Sequence, residues 1–325
     1  MTKTEKQHIT RFLKKLLLLL VICFIVDRTL GTIVERLYVH VPQGDIKTFS
    51  HTLNKPKEDV FLFGSSRVVH GYDPRVFTDT LGYSCFNSGR ENSTILYHTT
   101  ILDAAIKKHV PKIIVLDVTP KELSWRAEEN SKLVLASMIL PYVGRDTAYE
   151  NIAKELFPRE LMKAKVSKLY AYNSMILPIL MAKFSEKKKG SKDEIINGYL
   201  PIKGSKIKKG LPQAPMSLED MQTDSAASAQ FEKFLQLCRE NNIRLYITEG
   251  PIYVQKIPET PSITEMKKIM AKYDIEFWDH SYDTAFLKKD YFYDNVHLNA
   301  KGANLFSAFI AKKIKDDLVI HPLKP

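Results

Sequence analysis

A serine hydroxyl becomes a strong nucleophile only when a base lies within hydrogen-bond reach, ordinarily an imidazole that a carboxylate holds in one tautomer. Two stretches of this 325-residue chain offer those groups. In FLFGSSRVVHGY, residues 61–72, Ser65 and Ser66 follow Gly64, a small residue that lets the chain turn sharply after an apolar run. Far away, YFYDNVHLNAKG, residues 291–302, sets Asp294 and His297 three positions apart, so that one turn presents both side chains on the same side. Tyr291, Phe292 and Tyr293 read as the packing of that loop, and Leu298 and Ala303 as the pins of a following helix. A lone G-S-S turn or a lone D-x-x-H is common; the pair gains meaning only if the fold places both at one end of a sheet.

From residue 58 onward, short apolar runs alternate with helical patterns, the signature of a parallel sheet covered by helices. Strands are expected at 59–65, 83–88, 112–118, 243–250 and 275–279, and helices near 93–108, 223–241, 262–273 and 299–315. Asp224 and Ser262 read as caps or first-turn residues. Right-handed crossovers wind these into an α/β, three-layer αβα fold with a five-stranded parallel, doubly wound, flavodoxin-like sheet. Reactive groups belong in the loops at the carboxyl ends of its strands. The stretch 120–222 breaks the rhythm with apolar helical patterns, Pro141, Pro158 and Pro178, then KFSEKKKGSK and IKGSKIKKG. It reads as a mostly helical insertion that covers or borders the site, its basic part being either a solvated loop or a binder of anionic glycan.

Lys3, Lys6, Arg11, Lys14 and Lys15 precede LLLLLVICFIV, residues 16–26, which alone is short of the ~20 residues that a membrane span needs. After Asp27 and Arg28 the apolar pattern resumes, so 16–34 can cross if that charged pair snorkels near the far interface. No small-x-small cleavage site follows Val26, and the segment reads as an uncleaved signal anchor with its basic end in the cytoplasm. A cleaved signal peptide and a buried amphipathic helix are the alternatives. The expected organisation is therefore a tail and anchor at 1–36, a linker at 37–57, and a domain at 58–325 with the insertion. The net charge of +11 gathers at the N-terminus and at 183–209 without any nucleic-acid-binding motif, which points to an anionic membrane surface or polymer. Cys23, Cys85 and Cys238 share no paired spacing and read as small buried hydrophobes.

FGSSR after the first strand, FNSG at the end of the second and DNVHLNAKGANLF before a terminal helix resemble the blocks of the SGNH (GDSL-type) hydrolase superfamily. In particular they resemble its membrane-anchored envelope branch, which includes the family that esterifies teichoic acids with D-alanine and the alginate O-acetyltransferase-like proteins. The resemblance spans about 58–316, insertion excluded. It implies Ser66 as nucleophile, His297 as base and Asp294 as acid, with backbone N–H groups of Ser66 and Gly89 in the oxyanion hole, or Asn92 in the alternative register Asn87-x-Gly89-x-x-Asn92. The third block departs from the pattern. Where the superfamily offers Gly-x-Asn-Asp, this chain reads LDVTPKE, with Asp117, Thr119 and Pro120, and loses an oxyanion donor of the kind worth ~3 kcal/mol elsewhere. Asn87 and Asn92 are the candidate replacements.

Arg67 is a candidate for holding an anionic substrate group or for pairing with a carboxylate, and Asn87 and Glu249 for lining the cleft. His70 lacks an acid at D-x-x-H spacing, and His280 beside Asp279 reads as a loop residue. No histidine pair shows metal-ligand spacing and no phosphate loop is present, so no cofactor is expected. The expected function is that of a serine esterase or O-acyltransferase acting on acyl esters of an envelope polysaccharide through an acyl-enzyme. Its expected place is the bacterial cytoplasmic membrane, single-pass, with the catalytic domain on the outer side. The implied partners are the lipid bilayer, the polysaccharide or another acyl acceptor and a membrane-bound acyl donor protein, with no nucleic acid. The alternative is a catalytically degenerate envelope protein that binds glycan or scaffolds an export complex.

Overall fold

A computed structural model of the chain describes residues 2–39, 45–145, 147–185, 195–207, 210–212 and 222–323. The lysine-rich run 186–192 and Lys208 and Lys209 lie outside the described residues. The chain forms two compact units, 43–134 with 189–325 and 1–42 with 135–188.

The larger unit holds a five-stranded, all-parallel sheet: β1 (Val60–Phe63), β2 (Cys85–Asn87), β3 (Ile113–Asp117), β4 (Arg244–Glu249) and β5 (Phe277–Asp279) in the order β2-β1-β3-β4-β5. VFLF and IIVLD are buried at every position, as strands covered on both faces must be. Helices α4 (Pro74–Leu81) and α12 (Ala300–Ile320) pack together on one side, while α5 (Ile95–Ile106) and α10 (Ser225–Glu240) pack together with α11 (Pro261–Ala271) against α10. The order reverses at β1 and β3, and the crevice outside their carboxyl ends is where ligands of such sheets bind.

Local chemistry fixes the helix starts. Asp224 caps α10 by accepting from the Ala226 and Ala227 N–H groups, and Thr260 caps α11, which leaves Ser262 in its first turn. Two short helices add to the expected elements: α3 (Ser66–Gly71), which packs on α12, and α4, which packs on α12 and β2. The stretch 37–57, expected as a linker, contains α2 (Asp45–Asn54). Phe49 and Leu53, one turn apart, are fully buried, and the Phe49 ring lies against Tyr97 of α5.

The smaller unit contains α1 (Lys3–Val39) and the helices α7 (Thr147–Leu156), α8 (Pro158–Val166) and α9 (Ile176–Ser185) of the insertion; α6 (Trp125–Ile139) runs from one unit into the other. α1 is long and apolar enough to cross a membrane, with a mean hydropathy of 2.3 over its most apolar 18 residues, a property shared by anchors and signal sequences. Its far end is tied into the unit. Tyr38 is buried edge-on against Tyr142 and Tyr172, and Glu35 pairs with Arg145 at 2.8 Å and Lys168 at 2.7 Å.

Candidate active site

β1 delivers the chain to Gly64, whose φ of +154° is strained for other residues. A Cβ there would stand 2.4 Å from Val68 Cγ2 and 2.8 Å from the Asp117 carbonyl oxygen, so only glycine makes the turn. The two serines that follow divide the work. Ser65 is the N-cap of α3, its hydroxyl accepting from the Arg67 N–H at 3.4 Å, whereas Ser66 is the first helical residue and stays half-exposed.

The second half of the site comes from the loop before α12. Phe292 bridges Leu298, the Tyr293 N–H donates to the His297 carbonyl and the Asn299 N–H to that of Tyr291. Asn299 then caps α12, accepting from the Lys301 and Gly302 N–H groups, while its amide donates to the Asp290 carbonyl. Gly302 has no room for a side chain, because a Cβ would fall 2.2 Å from the Tyr291 carbonyl oxygen. The loop is thus closed on itself and pressed against the helix.

In that frame His297 Nε2 lies 2.8 Å from Ser66 Oγ, and His297 Nδ1 lies 2.9 Å from each oxygen of Asp294. A carboxylate can only accept at Nδ1, so the proton sits there and Nε2 presents its lone pair to the Ser66 hydroxyl. Partial burial alone would raise the Asp294 pKa. The His297 ring N–H and the backbone N–H groups of Val296 and His297 outweigh it and hold the carboxyl at about 2.

The tail of the insertion ties the two halves together. The Leu200 N–H donates to the Val69 carbonyl of α3, the Ala300 N–H to Ile202, and the Lys206 N–H to Tyr293. Residues 200–206 thus border this cluster.

His70 completes the cluster although no acid stands at D-x-x-H spacing to it in the sequence. Its Nε2 lies 3.1 Å from Glu91 Oε1, its Nδ1 2.8 Å from the Leu200 carbonyl oxygen, and its ring stands perpendicular to that of His297 with centroids 5.4 Å apart. The hydrogen bond from His70 holds Glu91 below the usual carboxylate range, against partial burial. The legible signal was spacing: Ser66 and His70 are one helical turn apart and share a face.

Arg67 takes the second of its two readings: it is 7% exposed, pairs with Asp117 at 3.3 Å and donates to the Gly250 carbonyl, and so does not face a substrate. Three other expectations need correction. Asn87 is fully buried and its amide is spent, donating to the Val68 and Tyr72 carbonyls at 2.7 and 2.8 Å. It neither lines a cleft nor replaces an oxyanion donor. The Gly89 N–H donates to Asn87 Oδ1 at 3.0 Å, and a Cβ at Gly89 would crowd Val68 at 2.9 Å, so this glycine serves close packing. Glu249 is buried beside Arg67 rather than lining a cleft, and burial pushes its pKa up to about 8. Asn92 stands exposed in the left-handed region, φ +54°, on the turn that the Arg90 N–H ties to the Gly64 carbonyl. Asp117, from the divergent third block, is buried and accepts from Tyr72 Oη at 2.6 Å and the Gly250 N–H at 2.8 Å.

No family model matches the chain. No curated protein matches it either. Among solved structures, it is similar to a crystal structure of an inferred acylhydrolase from Bacteroides fragilis, at 12% identity and a TM-score of 0.37, over 84% of this chain and 96% of that one. A likeness that low carries no argument about activity, and the chemistry rests on the site's own geometry. A hydroxyl, an imidazole with a free ring nitrogen and an ionised carboxylate in line can deprotonate the hydroxyl as it attacks an acyl carbonyl and return the proton to a leaving group.

Proposed function

We propose that the chain is an SGNH-type serine esterase or O-acyltransferase that works on acyl esters of an envelope polysaccharide. The contact that carries this reading is the one between Ser66 Oγ and His297 Nε2, at 2.8 Å, with Asp294 behind the ring. Ser66 Oγ attacks the acyl carbonyl while its proton passes to His297 Nε2, and Asp294 steadies the imidazolium. Collapse of the tetrahedral intermediate expels the donor alkoxide, which takes the proton from His297 and leaves the acyl group on Ser66. Water or a sugar hydroxyl then attacks the ester, with His297 again the base. The oxyanion lies against the Ser66 N–H at the start of α3, where helix N–H groups lack helical partners, and Asn92 is assigned as the second donor.

The setting is proposed from the anchor. Lys3, Lys6, Arg11, Lys14 and Lys15 hold the N-terminus in the cytoplasm, and the sheet unit then lies on the outer side of the cytoplasmic membrane, within reach of a membrane-bound acyl donor and a glycan acceptor. Treatment of the full-length protein with a fluorophosphonate probe tests the site. Labelling abolished by Ser66→Ala and by His297→Ala is expected; labelling that survives Ser66→Ala would refute the nucleophile. Comparison of envelope glycan acylation by mass spectrometry, with wild-type and Ser66→Ala protein expressed, tests the substrate class.

A further inference from the structure

α1 is too short in apolar residues to span a bilayer without its charged pair. The run Leu16–Val26 rises only about 16 Å at about 1.5 Å per residue, and a hydrocarbon core about 30 Å thick needs ~20 residues, which from Leu16 reaches Glu35. With Lys14 and Lys15 marking the inner edge, Asp27 and Arg28 fall well inside the core, where isolated charges are costly.

They are not isolated. Asp27 accepts from Ser167 Oγ at 2.5 Å and from the Lys168 and Leu169 N–H groups at 2.8 and 3.2 Å, and Arg28 donates to the Val166 carbonyl. The partners all come from the turn after α8. Whatever depth Asp27 occupies, that turn occupies too, and irregular backbone at such depth survives only where its polar groups are satisfied within the protein, as here.

The helix that follows the turn is built for the same solvent. α9 reads ILPILMAKFS: Ile179 is buried, yet Leu177 and Met181 on another part of its surface are 66% and 63% exposed, and no charge appears before Lys183. A helix apolar all round belongs in a core or in lipid, and α9 packs on α1. α8 carries Arg159, Glu160, Lys163 and Lys165 beside the exposed Met162, so it leads away toward water, but its last residue, Val166, is exposed and apolar, and it is the Val166 carbonyl that Arg28 holds. On α1, Leu30 and Ile33 carry the exposed apolar surface past the charged pair.

We infer that the turn after α8 and the helix α9 are sunk into the outer leaflet beside α1, with Val166, Leu177 and Met181 against lipid acyl chains. The turn is the device that lets a helix carrying Asp27 and Arg28 cross. This inference rests on the reading of α1 as an anchor and is independent of the chemistry at Ser66. The occupant is the bilayer, because this surface continues the exposed apolar surface of α1.

The full chain, labelled with an environment-sensitive fluorophore and reconstituted in phosphatidylcholine vesicles with or without brominated acyl chains, tests it. Cys23 serves as its own probe site within α1; in a Cys23→Ala background, Leu177→Cys and Met181→Cys carry the probe on α9 and Lys154→Cys provides an exposed control on α7. Strong quenching by brominated lipid at 23, 177 and 181, but not at 154, is expected. Quenching at 23 with 177 and 181 open to aqueous iodide would overturn the inference alone. Quenching at 23 with 177 and 181 shielded from both quenchers would also overturn it, in favour of a second copy of the chain on that face. Loss of quenching at 23 itself would remove the anchor and the inference together.

Discussion

Ser66 Oγ and His297 Nε2 lie 2.8 Å apart although 231 positions of chain separate the two residues. One sits at the carboxyl end of the first strand, the other immediately before the last helix, and the doubly wound sheet is what closes the distance. Asp294 needs no such journey, since it reaches His297 within its own turn.

That division of labour makes Asp294→Asn informative. The fold keeps its shape, but an amide can donate to Nδ1, which drives the ring proton to Nε2 and deprives Ser66 of its base. A fall of about 10²–10⁴ in the rate of ester hydrolysis is expected, with the protein still folded cooperatively but at a somewhat lower unfolding midpoint, because the native state favours the ionised carboxylate that the amide replaces. Because the carboxyl titrates at about 2, the wild-type protein should keep this carboxylate ionised throughout mildly acidic buffers. A variant that retains most of the wild-type turnover would count against the assigned base.

Gly302→Ala probes how the loop is held. The new methyl meets the Tyr291 carbonyl at 2.2 Å, a backbone atom that cannot swing away, so α12 or the loop must move. Destabilisation of about 1–3 kcal/mol is expected, together with a loss of fluorophosphonate labelling at temperatures where the protein is still folded. Denaturant titration and labelling on the same sample separate the two effects.

Much of this was legible in the sequence and some was not, for physical reasons. Buried parallel strands are continuous apolar runs, so VFLF and IIVLD announced themselves, and D-x-x-H before a capped helix is local chemistry that a reader of spacing can see. Which serine of the pair is spent as a cap depends on where α3 begins, and α3 is only six residues long. The fates of Arg67, Asn87 and Glu249 depend on what folding stacks behind the site. Polar residues beside a strand end look alike in sequence whether they face a cleft or a buried carboxylate. Likewise, the partners of Asp27 lie about 140 positions away in a segment that reads as a separate insertion.

Arg67→Met should show that the buried ion pair supports the site rather than the substrate. Asp117, 1% exposed, loses its cation while the Tyr72 hydroxyl and the Gly250 N–H remain. Stripping one partner from a buried pair costs about 3–5 kcal/mol, and the midpoint of urea unfolding should fall accordingly. The double variant Arg67→Met, Asp117→Asn should recover part of that loss. Equal stability of the single variant and wild type would mean that Asp117 is paired elsewhere.

Glu249→Gln tests the same cluster through pH. Burial raises the Glu249 carboxyl to about 8 in the folded chain, with the Arg67 charge opposing the shift and the Asp279 and Asp117 charges adding to it, against an ordinary value of 4.5. Between those values the native state keeps a proton that the unfolded chain has released. Stability is therefore fully present below about 4.5, declines as pH rises toward 8, and levels off beyond it, the loss being on the order of a few kcal/mol. Glu122, which burial raises to about 7, adds a slope of the same sign over the lower part of the window. Thermal unfolding of the detergent-solubilised full chain from pH 5 to 9 should show the decline in wild type and a shallower one in Glu249→Gln, whose neutral amide leaves Glu122 as the main contributor. Because glutamine mimics the protonated acid, the variant should match wild type near pH 5 and exceed it near pH 9. Parallel curves for the two proteins would place the Glu249 carboxyl in water and break the cluster as described.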